Sequence, residues 1–179
     1  MKSANKITPV IFGTLTMTLI ATFPLLNLIN IFCCAGIIAG GFTGVYTYWK
    51  QLQTLGLPLE TKDGGMIGIL SGILSAVLVT GFGLLISLFS ESNPILDIMN
   101  AFDELGVQTP QEMLQYMDKF SNEFNELGFS PTITLISFIS NLILYPLFGS
   151  IGALLAVNYF NKSNRFNKMQ NDQNIDPLN

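Results

Sequence analysis

Polar and hydrophobic positions fall in long blocks along this chain instead of alternating. No Asp, Glu, Lys or Arg occurs in the 43 residues between Lys6 and Lys50, the 27 between Asp63 and Glu91, or the 35 between Glu126 and Lys162. A helix needs about 20 apolar residues to cross a bilayer core of roughly 30 Å. The second and third blocks therefore predict one crossing helix each, over residues 66–90 and 132–160. The first block is long enough for two, and Pro24, Asn27 and Asn30 place a turn between helices over 9–26 and 31–49.

Between the last two blocks the pattern changes to short amphipathic helices. Asn93-Pro94 supplies an N-cap and a proline at the first helical position. Ile95, Ile98, Met99, Phe102 and Leu105 then recur at helical spacing, and Gly106 can end the turn. A second helix opens at Thr109-Pro110-Gln111-Glu112, which has the form of a capping box. Its stripe is Met113, Met117, Phe120, Phe124 and Leu127, with Gly128 to close it and Ser130-Pro131 to start the last span. These signals predict a helical hairpin over 94–128.

Charge gives the threading. With four crossings, Lys2, Lys6, Lys50, Lys62, Lys162, Arg165 and Lys168 share one side, and Lys119 alone lies on the other. Cytoplasmic loops collect Lys and Arg, so both termini are expected in the cytoplasm. Three crossings would set Lys2 and Lys6 opposite Lys50 and Lys62, a worse split. A hairpin over residues 7–49 that dips into the membrane and returns distributes charge as four crossings do, so both arrangements stand. The first segment has a basic start but no A-x-A-like cleavage site, and Phe32 before Cys33 is not the small residue that precedes a lipidated cysteine; it reads as a retained span. Trp49 with Tyr46 and Tyr48, and Tyr159 with Phe160, mark the cytoplasmic interface. The stretch from Glu91 to Pro131 carries eight carboxylates against Lys119, a net −7. That sign is wrong for a helix lying on anionic lipid, so its stripes pack on each other, on the spans or on a partner. Beyond Asn161 the chain is rich in Asn and Gln, and residues 163–179 read as a mobile polar cytoplasmic tail.

Composition narrows the chemistry. Charged residues are 11% of the chain, against about 25% in soluble domains. There is no histidine, and the net charge of −4 argues against nucleic acid as a partner. Cys33 and Cys34 are adjacent, which suits neither a disulfide nor a zinc site; they read as small buried apolar residues. Thr61-Lys62-Asp63-Gly64-Gly65 lacks the spacing of a phosphate loop and reads as a helix cap. Asn161-Lys162-Ser163 matches a glycosylation sequon on the cytoplasmic side, where it would not be used. The spans contain no ionisable group. Their hydroxyls, at Thr14, Thr16, Thr18, Thr22, Ser71, Ser75, Thr80, Ser137 and Ser140, are expected to bond their own helix carbonyls. Asn141, five residues before Pro146, is expected to make an interhelical hydrogen bond, with an ion or substrate contact as the alternative. No catalytic, cofactor-binding or metal-binding residues are assigned.

Small residues give the strongest signal inside the spans. Gly36, Gly40 and Gly44 step by four, beside Gly41. Gly68, Gly72 and Ala76 do the same in the third span, and Gly149 with Ala153, beside Gly152 and Ala156, in the fourth. Helices in lipid associate by close packing, which small residues permit, so these are the expected helix-packing positions.

The order of parts resembles an uncharacterised family of small bacterial four-span membrane proteins, a domain of unknown function. The resemblance covers mainly residues 64–162 and rests on Gly64-Gly65-Met66-Ile67-Gly68, Asn93-Pro94, Glu112-Met113 with Tyr116-Met117, and Ser130-Pro131. It implies no catalytic or binding residues. The expectation is an all-α integral membrane four-helix bundle in one membrane domain over 1–162, with an extracytoplasmic amphipathic hairpin, in a bacterial inner membrane. The expected role is non-enzymatic: an accessory or scaffolding protein whose partners are the bilayer and a second copy or another membrane protein. The alternative is a small oligomeric transporter or channel using Asn141, Pro146 and the hydroxyls.

Overall fold

The computed structural model describes residues 4–23, 26, 34–90, 93–106 and 110–174, with side chains as far as Ser163. Among these the secondary structure is entirely helical: α1 Ile7–Thr22, α2 Ala35–Leu55, α3 Thr61–Phe89, α4 Pro94–Glu104, α5 Gln111–Leu127 and α6 Pro131–Asn174. The turn at Pro24, Asn27 and Asn30, together with Cys33 and the cap at Thr109, lies outside the described residues. Two helical stretches, Thr61–Phe89 and Pro131–Ser163, are long and apolar enough to cross a membrane. The first helix is apolar but only 16 residues long, about 24 Å at 1.5 Å per residue.

Helix ends differ from the expected bounds for local reasons. The first helix stops at Thr22 instead of Leu26, and Phe23 is extended at φ −81°, ψ 120°, because a residue before proline is pushed out of the helical region. Cys34, half-buried, holds φ +59° ahead of α2. That helix runs past Trp49 to Gly56, whose φ of +68° allows Leu57 N–H to reach Leu52 O at 3.0 Å. Residues 61–65 are the first turn of α3 and not a loop. The last helix continues beyond Phe160 to Asn174, so the backbone of residues 163–174, in the polar tail, is helical.

The chain forms two compact units, residues 1–77 with 142–179, and residues 78–141. In the first, α1, α2, the opening half of α3 and the closing half of α6 surround a core of small and medium side chains. Buried positions recur at three and four: Pro9, Val10, Gly13, Thr14, Met17 and Thr18 on α1, and Gly64, Ile67, Gly68, Ser71, Gly72, Ser75 and Ala76 on α3. Larger apolar side chains face outward. Ile11, Phe12, Leu15 and Leu19 on α1, Ile69, Leu70, Leu74 and Val77 on α3, and Ile143, Leu147 and Leu155 on α6 are all exposed. Only 22% of each apolar stretch of α3 and α6 is buried. Large apolar side chains, among them Met17, Tyr48, Leu52, Ile67 and Phe160, are buried as well, so apolar residues lie both inside and outside this unit.

In the second unit, α4 and α5 pack together through Ile95, Met117 and Phe124, with Met99, Phe102, Phe120 and Ile133 against them. Asn93 caps α4 by accepting from Ile95 N–H at 3.1 Å. Its amide donates to Ser121 Oγ at 3.0 Å and Asn125 Oδ1 at 2.9 Å, tying the start of α4 to α5. Gly106 and Gly128 take φ of +65° and +76° after their helices. α5 begins at Gln111 directly after Pro110; the expected cap at Thr109 lies outside the described residues.

Candidate functional site

Within residues 78–141 lies a cavity of about 330 Å³. Its apolar wall includes Val79, Leu84, Ile95, Phe124 and Ile133. Its polar lining is Thr80, Ser87, Ser130, Thr134, Ser137 and Asn141, with no ionisable side chain.

Several of these groups are held by the local fold. Ser130 caps α6, accepting from Ile133 N–H at 3.2 Å and donating to Glu123 Oε2 at 2.5 Å. Glu123 also accepts from Thr132 Oγ1 at 2.6 Å and Thr132 N–H at 3.2 Å. A carboxylate at a helix N-terminus is favoured by the helix dipole. The Ser130 and Thr132 hydroxyl bonds, ahead of the Thr132 amide and the charge of Lys119, hold the Glu123 carboxyl below the usual glutamate value. Thr134 donates to Ser130 O at 2.9 Å and Ser87 to Gly128 O at 3.2 Å. Farther along the two long helices, Asn141 Nδ2 donates to Thr80 Oγ1 at 3.2 Å. Gly83 also lines the cavity, and a Cβ built there would meet nothing within 4 Å.

The eight small-residue positions named from the sequence lie in the first unit, and all are buried. A Cβ on Gly40 would strike Met17, and one on Gly68 would lie 2.6 Å from Gly149 O. A Cβ on Gly72 would lie 2.5 Å from Pro146 Cα. Gly13, which the sequence did not single out, belongs to the same seam: its Cβ would lie 2.6 Å from Ser71 Oγ. The signal available for it was the spacing Pro9-Gly13-Met17, one helical turn apart.

The hydroxyls divide. Thr16 and Thr22 bond the carbonyls of Phe12 and Thr18 in their own helix, as expected. Thr14 and Ser71 do not. Thr14 donates to Ser71 O at 3.3 Å and Ser71 to Val10 O at 3.1 Å. Ser75 reaches both Thr14 O and Ser71 O. Small side chains at a close crossing bring the neighbouring backbone within reach.

At one end of this unit, Lys6 Nζ lies 2.6 Å from Asp63 Oδ1, and Tyr48 O–H donates to Asp63 Oδ2 at 2.9 Å. Trp49 stacks on Phe160 with ring centroids 4.4 Å apart, and Lys50 lies over the Tyr46 ring. Asn161, read as a sequon position, donates to Leu59 O at 3.2 Å. The start of α1, the end of α2, the start of α3 and the region of α6 near Phe160 thus meet at the same end. Asp63, read as a helix cap, is the acceptor at its centre.

Among the described residues, no group of three or more His, Cys, Asp or Glu is placed to hold a metal ion. No protein-family model matches the chain, no curated protein matches it, and no solved structure matches it.

Proposed function

We propose that the protein is a multi-pass membrane protein with four crossings and both termini cytoplasmic, acting as a non-enzymatic accessory or scaffold. The observation that carries the reading is the apolar exterior of the first unit. Leucine, isoleucine and phenylalanine cover the outside, while Gly, Ala, Ser and Thr line the close helix crossings beside buried Met17, Val45, Ile67 and Val157. In water such an exterior would be a very large exposed apolar surface; in lipid it is the expected one.

Two further features bear on the accessory role. The eight packing glycines and alanines are used within one chain, so association through them would require a new face. The amphipathic hairpin instead keeps exposed apolar residues, Met113, Tyr116 and Leu127 on α5 with Ile98 and Leu105 nearby in sequence, among carboxylates. A partner for that surface is basic and partly apolar on its extracytoplasmic side.

The test is extraction and topology. With Cys33 and Cys34 replaced by serine, Gln115→Cys and Leu57→Cys are labelled separately in intact cells with a membrane-impermeant maleimide. Labelling of Gln115→Cys from outside, and of Leu57→Cys only after permeabilisation, supports the proposed threading. Release of the protein by alkaline carbonate, or labelling of both sites from one side, refutes it.

A further inference from the structure

The cavity within residues 78–141 carries an inference beyond the scaffolding role. Its polar groups differ in how much of their hydrogen-bonding capacity is spent. Ser87, Ser130 and Thr134 donate to Gly128 O, Glu123 and Ser130 O. Asn141 uses one amide hydrogen on Thr80. Its carbonyl oxygen and second N–H, the Thr80 hydroxyl proton and the Ser137 hydroxyl have no protein partner among the described residues. Ser137 and Asn141 are one turn apart on α6, so they share a face, and Thr80 lies across from Asn141. Unspent donors and an acceptor therefore gather at one place, and Ile95, Phe124 and Ile133 supply an apolar wall elsewhere in the same cavity.

We infer that this cavity binds an uncharged single-chain amphiphile, its hydroxyl or ester head held by Thr80, Ser137 and Asn141. Charge is excluded by the lining, which offers no counter-ion, and an ion held without one pays a heavy desolvation cost. A wholly apolar ligand would cover the half-buried Asn141 carbonyl and Thr80 hydroxyl without answering either. The volume of about 330 Å³ is at the small end of ligand sites, roughly 300–1,000 Å³, which suits a compact head and the first part of one chain, the rest leaving through the cavity's open side. Gly83 lines the cavity, and a Cβ there would meet nothing within 4 Å, so a larger side chain can be placed at its wall without displacing protein.

Native mass spectrometry of the full chain in detergent, titrated with monooleoylglycerol at pH 8, tests this. The expected result is one adduct per chain, with oleate at least tenfold weaker. Gly83→Phe fills the cavity and should weaken binding at least tenfold. Gly81→Phe, the same change at a position that also meets nothing within 4 Å but does not line the cavity, should leave binding unchanged. Ser137→Val should weaken it several-fold with unchanged unfolding, which separates loss of a contact from loss of the fold. No wild-type adduct, equal binding by Gly83→Phe and wild type, or oleate binding as tightly overturns the inference. Carbonate extraction and maleimide labelling report on the membrane reading independently, so failure of either is distinguishable from failure of the other.

Discussion

Replacing Gly72 by alanine adds one methyl group at the tightest backbone approach between α3 and α6. The new Cβ would lie 2.5 Å from both Cα and N of Pro146 and 2.6 Å from the Tyr145 carbonyl carbon. All three are backbone atoms, so no side chain can swing away. Ordinary contact begins at 3.4 Å; the helices must part by roughly 1 Å, a gap that forfeits about a quarter to a half of each dispersion contact across the seam. If the affected patch is the size of one buried leucine's, about 40 atom pairs at about 0.1–0.2 kcal/mol hold roughly 4–8 kcal/mol. The expected loss is then about 1–4 kcal/mol, which brackets the roughly 1–3 kcal/mol typical of overpacking. Gly65→Ala is the matched control, because its Cβ would find only Leu154 Cδ2 at 4.0 Å. Both substitutions change helix propensity in the same favourable direction, by up to about 1 kcal/mol, so the difference between them isolates the steric term. The assay is unfolding by added SDS from mixed micelles, followed by fluorescence of Trp49, the single tryptophan of the chain. Its stacking on Phe160 reports α2 against α6. Gly72→Ala should unfold at clearly lower SDS than Gly65→Ala. If the two variants lie within about 0.5 kcal/mol of each other, below the smallest overpacking cost, the close approach of α3 to α6 is wrong.

Two other measurements probe the ends of the units. The Glu123 carboxyl is held below its ordinary value by the Ser130 and Thr132 hydroxyls, so its contribution to the α6 cap is fully present above that ordinary value and is lost as pH falls through the lower folded-state one. The Thr132 amide resonance should titrate with a midpoint below 4.5, the ordinary value, and should lose this titration in Glu123→Gln; a midpoint at or above it refutes the cap. Lys6 and Asp63 are both partly exposed, so Lys6→Met and Asp63→Asn should each cost no more than about 1 kcal/mol. The double variant should cost less than the two together, and strict additivity would mean the pair is not coupled.

The hairpin shows how far local chemistry reached. Asn93-Pro94, Gly106 and Gly128 were legible because a cap needs a particular side chain or backbone freedom within a few residues of the helix end. The same logic explains the last residue of α1, expected at Leu26 but found at Thr22 because Pro24 restricts Phe23. Asn141 could be singled out as the one carboxamide well inside a predicted span, but nothing in the sequence named Thr80 as its partner across the helix pair. Glu123 was one of eight similar carboxylates in its segment until the turn at Ser130 brought two hydroxyls to it.

By itself the sequence led to an all-helical expectation with four crossings. Two of these, Thr61–Phe89 and Pro131–Ser163, are helices long and apolar enough to cross a bilayer among the described residues. The sequence also showed small residues recurring along single helix faces. Those are properties of spacing and composition, which any one helix carries alone. Tertiary structure decided which faces meet. It joined Gly13 to Ser71, set Gly72 against Pro146 and turned Asp63 from a helix cap into the acceptor of Lys6 and Tyr48. It also left an uncharged cavity where Gly83 has no side chain. Each of these joins residues far apart in the chain, and a contact of that kind exists only once helices have chosen their neighbours.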